Sequence, residues 1–131
     1  MSALNLCAVF IGSGIGGVCR YLLSKAIQTN VTAVNVFPWG TFAVNVAGCF
    51  LIGLFYGIFD KSGATGLITP QMRLLLTVGF CGGFTTFSTF VNENYLLFQS
   101  SNLLLVGGYV LASVVIGFLL LYAGYAIAEL L

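Results

Sequence analysis

Histidine is absent from this chain, and charge nearly so: four Lys or Arg and three Asp or Glu stand among 131 residues. Losing histidine removes the commonest general base and the commonest metal ligand. With Asp60, Glu93 and Glu129 as the only acids, paired-carboxylate chemistry has no candidates inside an apolar segment. Neither does any nucleophile–base constellation, so an enzyme is disfavoured. A net charge of +1 offers nothing for a phosphate backbone to bind, which excludes a nucleic-acid partner. The four cysteines, Cys7, Cys19, Cys49 and Cys81, sit singly in apolar runs with no CxxC pair. They read as buried free thiols that behave as small hydrophobes.

What is present is apolar. The chain is 60% hydrophobic and 5% charged, against about 25% charged in a soluble domain. Its mean hydropathy is +1.10. This is the composition of an integral membrane protein of one domain, residues 1–131, embedded in the lipid bilayer. Four segments reach the roughly 20 residues that span the hydrocarbon core. They run over about 4–23, 39–59, 74–98 and 103–128 and predict four transmembrane helices. No basic stretch precedes the first segment and no small-residue cleavage site follows it, so it reads as retained. Residues 24–38 and 60–71 read as connections, the second because Asp60, Lys61, Gly63, Gly66 and Pro70 cluster there. Gln99-Ser100-Ser101-Asn102 reads as a tight turn that makes the last two crossings antiparallel neighbours. Lys61 and Arg73 flank one side of the membrane, Arg20 and Lys25 the other. The positive-inside rule therefore finds almost no excess to orient the chain. Either one weak orientation is chosen or the chain inserts both ways and pairs with its inverted copy.

The third segment carries the most unusual run, Gly82-Gly83-Phe84-Thr85-Thr86-Phe87-Ser88-Thr89-Phe90. Each glycine costs roughly 1 kcal/mol of helix propensity relative to alanine. Polar side chains at membrane depth face a partner helix or a conduction path. The run predicts a broken helix lining something small and polar. Freed carbonyls around Gly82 and Thr85 suit a hard cation such as Na⁺. The donors favour an anion. Thr41 and Asn45 share a face of the second segment with Gly48, and Tyr109 and Ser113 share one of the fourth. The edge of a phenyl ring is the positive part of its quadrupole, so Phe87 and Phe90 can point edge-on at a small anion. For Asn45 the competing reading is a hydrogen bond that glues helices. For Tyr109 and Glu93 it is an interfacial position, and for Ser113 a bond to its own backbone. Arg20 either snorkels or lines a vestibule. The GxxxG pairs Gly12/Gly16, Gly53/Gly57 and Gly79/Gly83 predict close helix packing and nothing about a ligand.

Two runs, Gly40-Thr41-Phe42-Ala43-Val44-Asn45-Val46-Ala47-Gly48 and Gly79-Phe80-Cys81-Gly82-Gly83-Phe84-Thr85-Thr86-Phe87-Ser88-Thr89-Phe90, closely resemble the Fluc (CrcB) fluoride channels. The resemblance extends over essentially the whole chain. It implies an all-α, dual-topology antiparallel homodimer in the bacterial cytoplasmic (inner) membrane that exports fluoride passively and lowers its toxicity. It implies a structural Na⁺ at the dimer centre, held by backbone carbonyls of Gly82 and Thr85. Phe87 and Phe90 would be the ring pair of the pore, with Asn45 between them. Thr41, Ser88, Thr89, Tyr109 and Ser113 would form a polar track with Glu93 along it, and Arg20 would stand at the vestibule. Gly117 carries no hydroxyl where that track could have continued. Two other classes compete. A small multidrug exporter needs an embedded carboxylate, typically in the first helix, and the first segment has none. A non-transporting assembly subunit would use its polar residues only as glue.

Overall fold

The structure, a computed structural model, describes residues 1–30, 37–63 and 66–131. The regular structure of these residues is helical: α1 (Ala3–Asn30), α2 (Trp39–Ser62), α3 (Pro70–Leu74), a π-helical stretch (Leu75–Cys81), α4 (Gly82–Phe84), α5 (Phe87–Gln99) and α6 (Leu103–Leu130). Among the described residues four helical spans are long and apolar enough to cross a membrane: Ala3–Gln28, Trp39–Ser62, Pro70–Gln99 and Leu103–Leu130. The protein is thus an all-helical, multi-pass membrane protein.

Helices outrun the apolar segments that predict them. α1 continues to Asn30 instead of ending near Leu23, so Ser24, Lys25 and Gln28 are helical and not connection. α2 carries Asp60 and Lys61 in its last turn, and Pro70 opens α3 instead of belonging to a loop. The physical reason is common to all three. Hydropathy marks where lipid ends, whereas helix continues into the interface until a residue stops it. At α3 the start is set by Thr69, whose hydroxyl accepts the Met72 amide at 3.2 Å, and by Pro70 in the first turn. The rest of the first connection, residues 31–36, lies outside the described residues. The short turn before α6 is a Schellman closure. Asn102 N–H reaches Leu97 O and Ser101 N–H reaches Phe98 O, both at 3.0 Å, and Ser101 takes the left-handed φ of 58° usually given to glycine.

Two parallel seams hold the bundle. α1 packs on the first half of the third span, and α2 packs on α6. The α1 seam is backbone against backbone: a methyl group on Gly79 would lie 2.9 Å from the Gly12 Cα, inside any real contact. On the other seam a methyl at Gly57 would lie 2.6 Å from the Ala128 Cβ. Lipid offers no hydrophobic drive for association, so such close approach supplies the dispersion that holds helices together. At one end Gln71 Nε2 donates to Asn5 Oδ1 at 3.2 Å and Arg73 Nη2 to the Phe59 carbonyl at 3.2 Å. At the same end Tyr125 OH donates to Asp60 Oδ2 at 2.7 Å.

The third span changes pitch before it reaches its midpoint. Gly82 N–H reaches back five residues to Thr77 O, and Thr77 Oγ1 donates to Arg73 O at 2.8 Å. Threonine back-bonding of this kind loosens the α ladder, and a wide turn accommodates it.

Candidate functional site

The last regular bond of the helical run that starts at Pro70 is Thr85 N–H to Cys81 O at 3.0 Å, doubled by Thr85 Oγ1 to the same oxygen at 2.9 Å. Thr85 (φ −91°, ψ 161°) and Thr86 (φ −149°, ψ 118°) are then extended, and α5 resumes at Phe87. Asn45 holds this point from α2. Its Oδ1 accepts the Thr86 N–H at 2.8 Å and its Nδ2 donates to the Thr86 carbonyl at 3.0 Å, so one side-chain amide pairs with one backbone residue at both ends. Gly48, one turn on, lies against the Thr85 side chain, where a methyl group would collide with Cγ2. The Thr86 hydroxyl caps α5: it accepts the Thr89 N–H at 3.3 Å and lies 3.0 Å from the Thr89 hydroxyl.

These bonds leave two carbonyls without their usual donors. In a continuous α-helix Gly82 O would accept from Thr86 N–H and Thr85 O from Thr89 N–H. Here the first amide is taken by Asn45 and the second by the Thr86 hydroxyl. Gly82 itself is exposed. Both oxygens are hard ligands at the C-terminal, negative end of a helical run, the donor set a hard cation prefers. Among the described residues no three His, Cys, Asp or Glu side chains gather as a metal site.

The second cluster centres on Glu93. Thr41 Oγ1 donates to its Oε1 at 2.6 Å and Tyr109 OH to its Oε2 at 2.8 Å, which ties α2, α5 and α6 through one carboxylate. Tyr109 is fully buried and Thr41 nearly so. Thus Thr41, Asn45 and Gly48 work along one face of α2, meeting Glu93, Thr86 and Thr85 in turn. The Tyr109 ring also meets Phe90 edge to face, with centroids 4.8 Å apart at 74°. Phe87 and Phe90 are tilted at 36°, centroids 6.1 Å apart, and Phe87 is 77% exposed.

Two concavities meet at Thr86. One, of about 580 Å³, is bordered by Arg20, Lys25, Gln28, Thr41, Thr86 and Thr89. The other, of about 430 Å³, is bordered by Asn45, Gly82, Thr85, Phe87, Phe90 and Ser113, with Thr86 on its wall as well. Ser113 borders the second cavity, and its buried Oγ makes no hydrogen bond among the described residues.

The structure therefore gathers Asn45, Phe87, Phe90, Gly82, Thr85 and Ser113 around one cavity, and Thr41, Glu93 and Tyr109 in one hydrogen-bonded group beside it. Arg20 and Thr89 border the first cavity. Ser88 is exposed and forms no hydrogen bond with the others among the described residues. Sequence reasoning passed over Thr86, whose role as the residue gripped by Asn45 leaves no mark in hydropathy. It also passed over Lys25 and Gln28. Their signal was available: Arg20, Ser24 and Gln28 recur every fourth residue, one face of a helix that continues beyond Leu23. Gln28 Oε1 accepts the Gly40 N–H at 3.4 Å and so meets an orphan amide in the first turn of α2.

Comparison with known proteins follows the same lines. The family described as CrcB-like protein, Camphor Resistance (CrcB), matches residues 7–125. A protein of Phocaeicola vulgatus named fluoride-specific ion channel FluC is 45% identical over 125 residues, 95% of this chain and 98% of that one. Proteins of the same name from Flavobacterium psychrophilum (42% over 121 residues, 92% of this chain and 94% of that one) and Bacteroides fragilis (43% over 122 residues, 92% and 93%) are similar over comparable lengths.

Proposed function

The chain belongs to the CrcB-like family, and from that premise and the geometry around Thr86 we propose that it is a fluoride-selective passive channel, not an enzyme. The observation that carries the reading is the single cavity bordered by Asn45, Phe87, Phe90 and Ser113, the last with a hydroxyl that makes no hydrogen bond among the described residues. A dehydrated anion needs donors that are not already spent, and this is one. Asn45 supplies another, because the Thr86 carbonyl uses only one of its two amide hydrogens. The Phe87 and Phe90 edges add positive potential with no formal charge. Among the described residues no Lys or Arg borders this second cavity. That favours passage, since a fixed cation there would hold the ion too tightly to leave. Arg20 and Lys25 on the first cavity raise the local anion concentration by focusing. Thr41 and Thr89 border the approach on the first cavity, Glu93 and Tyr109 stand behind Thr41 in the same track, and Ser88 belongs to it once its exposed face is covered.

That cover is a second copy of the chain, inserted with inverted topology. Phe87 is largely open in one chain, and the positive residues at the two membrane faces balance. In such a homodimer the interrupted third spans meet at the centre. The carbonyls of Gly82 and Thr85 from both copies would hold a structural Na⁺, which when bound supplies fixed positive charge between the two pathways. The working location is the bacterial cytoplasmic (inner) membrane, where outward leak of fluoride lowers its toxicity.

The test is ion efflux from liposomes containing the purified chain. Fluoride should leave rapidly and chloride should not. Equal rates for the two anions would refute the selectivity.

A further inference from the structure

The bonds at the interruption do more than interrupt. We propose that Asn45 and the Thr86 hydroxyl create the cation site, by withdrawing from the Gly82 and Thr85 carbonyls the two amides that would otherwise close on them. This rests on the reading that the two carbonyls hold Na⁺ and adds what makes them available.

The argument is one of hydrogen-bond accounting. Each main-chain amide in a buried segment must find an acceptor. The Thr86 N–H has two acceptors within the geometry of a helix: Gly82 O, four residues back, or Asn45 Oδ1, which it takes at 2.8 Å. The Thr89 N–H has Thr85 O or Thr86 Oγ1, which it takes at 3.3 Å. In both cases a side chain wins and a carbonyl is left open. Gly82 and Thr85 both border the cavity that Asn45 borders. Gly48 lets α2 come close enough for Asn45 to reach, since any side chain there would meet Thr85. Without Asn45 Oδ1 the Thr86 amide returns to Gly82 O, the helix extends, and the cation loses a ligand. Without the Thr86 hydroxyl the Thr89 amide returns to Thr85 O with the same result. Asn45 is thus a positioning residue for the cation in addition to lining the anion cavity, and the two sites are joined through one peptide.

The experiment measures Na⁺ affinity without transport. The full chain in detergent is unfolded thermally over a range of NaCl, with N-methylglucamine chloride keeping ionic strength constant. The rise of the midpoint with Na⁺ gives an apparent affinity. Asn45→Leu, of similar volume but with no acceptor, should weaken that affinity about tenfold, the factor of one net hydrogen bond. Thr86→Val, a β-branched residue suited to the extended backbone, should weaken it similarly. It carries the test alone if Asn45→Leu does not fold. Asn45→Asp keeps an oxygen for the Thr86 N–H and should bind Na⁺ at least as tightly as wild type. Wild-type affinity in Thr86→Val or Asn45→Leu would overturn the inference. A wild-type midpoint indifferent to Na⁺ would overturn the cation reading itself and the inference with it. The two failures are therefore distinguishable.

Discussion

Replacing Tyr109 with phenylalanine removes one oxygen and nothing else. The ring keeps its 4.8 Å edge contact with Phe90 and stays fully buried, while Glu93 is half-buried. Glu93 Oε2 then loses a donor at 2.8 Å while Oε1 keeps Thr41 at 2.6 Å. Interhelical hydrogen bonds in membrane proteins average only about 0.6 kcal/mol. Bonds to a charged group contribute about 1.5–3 kcal/mol, and a buried charge short of a donor costs more than a buried amide. Glu93 is half-buried, so the loss in Tyr109→Phe should fall between these cases, at about 1 kcal/mol. Glu93→Gln in the same background supplies the sign test. A neutral amide has no charge left uncompensated, and the Thr41 hydroxyl can still bond it. The double variant should therefore be more stable than Tyr109→Phe alone. Denaturant unfolding in detergent, followed through Trp39, the single tryptophan, measures both. A loss below about 0.5 kcal/mol in Tyr109→Phe, or a double variant as unstable as the single, would refute the claim that these hydroxyls compensate a charged carboxylate.

Three further outcomes follow from the geometry. Gly16→Ala places a methyl on the Phe80 carbonyl and should destabilise the fold by about 1–3 kcal/mol, whereas Gly14→Ala, with open space around it, should be neutral or slightly stabilising; thermal midpoints separate them. Phe90→Ile keeps apolar bulk but loses the ring edge, so fluoride efflux should fall at least tenfold while the protein stays folded; normal efflux would remove the ring from the mechanism. Arg20→Gln should slow efflux at low salt, with the difference fading toward 1 M, where the screening length is about 3 Å; a deficit that persists at high salt would mean a contact role in place of focusing.

How much of this was legible in advance depends on the kind of signal each feature leaves. The spans and the face shared by Thr41, Asn45 and Gly48 follow from hydropathy and the four-residue repeat, which survive any tertiary context. Of the two alternatives for Asn45, the structure shows the interhelical bond, and the pore role proposed above falls to what that bond leaves over. One amide hydrogen and the oxygen bind Thr86, and the other hydrogen remains. Tyr109 reads as an interfacial belt residue only while Glu93 is unplaced, because a sequence does not say which hydroxyl will answer a carboxylate sixteen residues away. The true end of α1 was missed because polar residues without Gly or Pro stop a hydropathy pattern without stopping a helix. Thr86 was missed because its contribution is made mostly by backbone atoms, which every residue has.

The wide π-helical stretch at Leu75–Cys81 has a consequence for how such a chain can change length. A wide turn holds an extra residue without lengthening the path across the bilayer by a full helical step. Residues after it are consequently phased differently from those before it, and each residue of phase is about 100° of rotation. Gly12 fixes the phase within the stretch through Gly79, and Asn45 reads the phase beyond it through Thr86. Deleting one residue there, for example the exposed Val78, would let the wide turn tighten to an ordinary α turn with Thr86 and the rings still facing α2, whereas deleting one residue after it, between Gly82 and Thr85, would swing them away. The wide turn is thus a buffer for chain length: one residue can be lost within it, and none can be lost between it and Thr86.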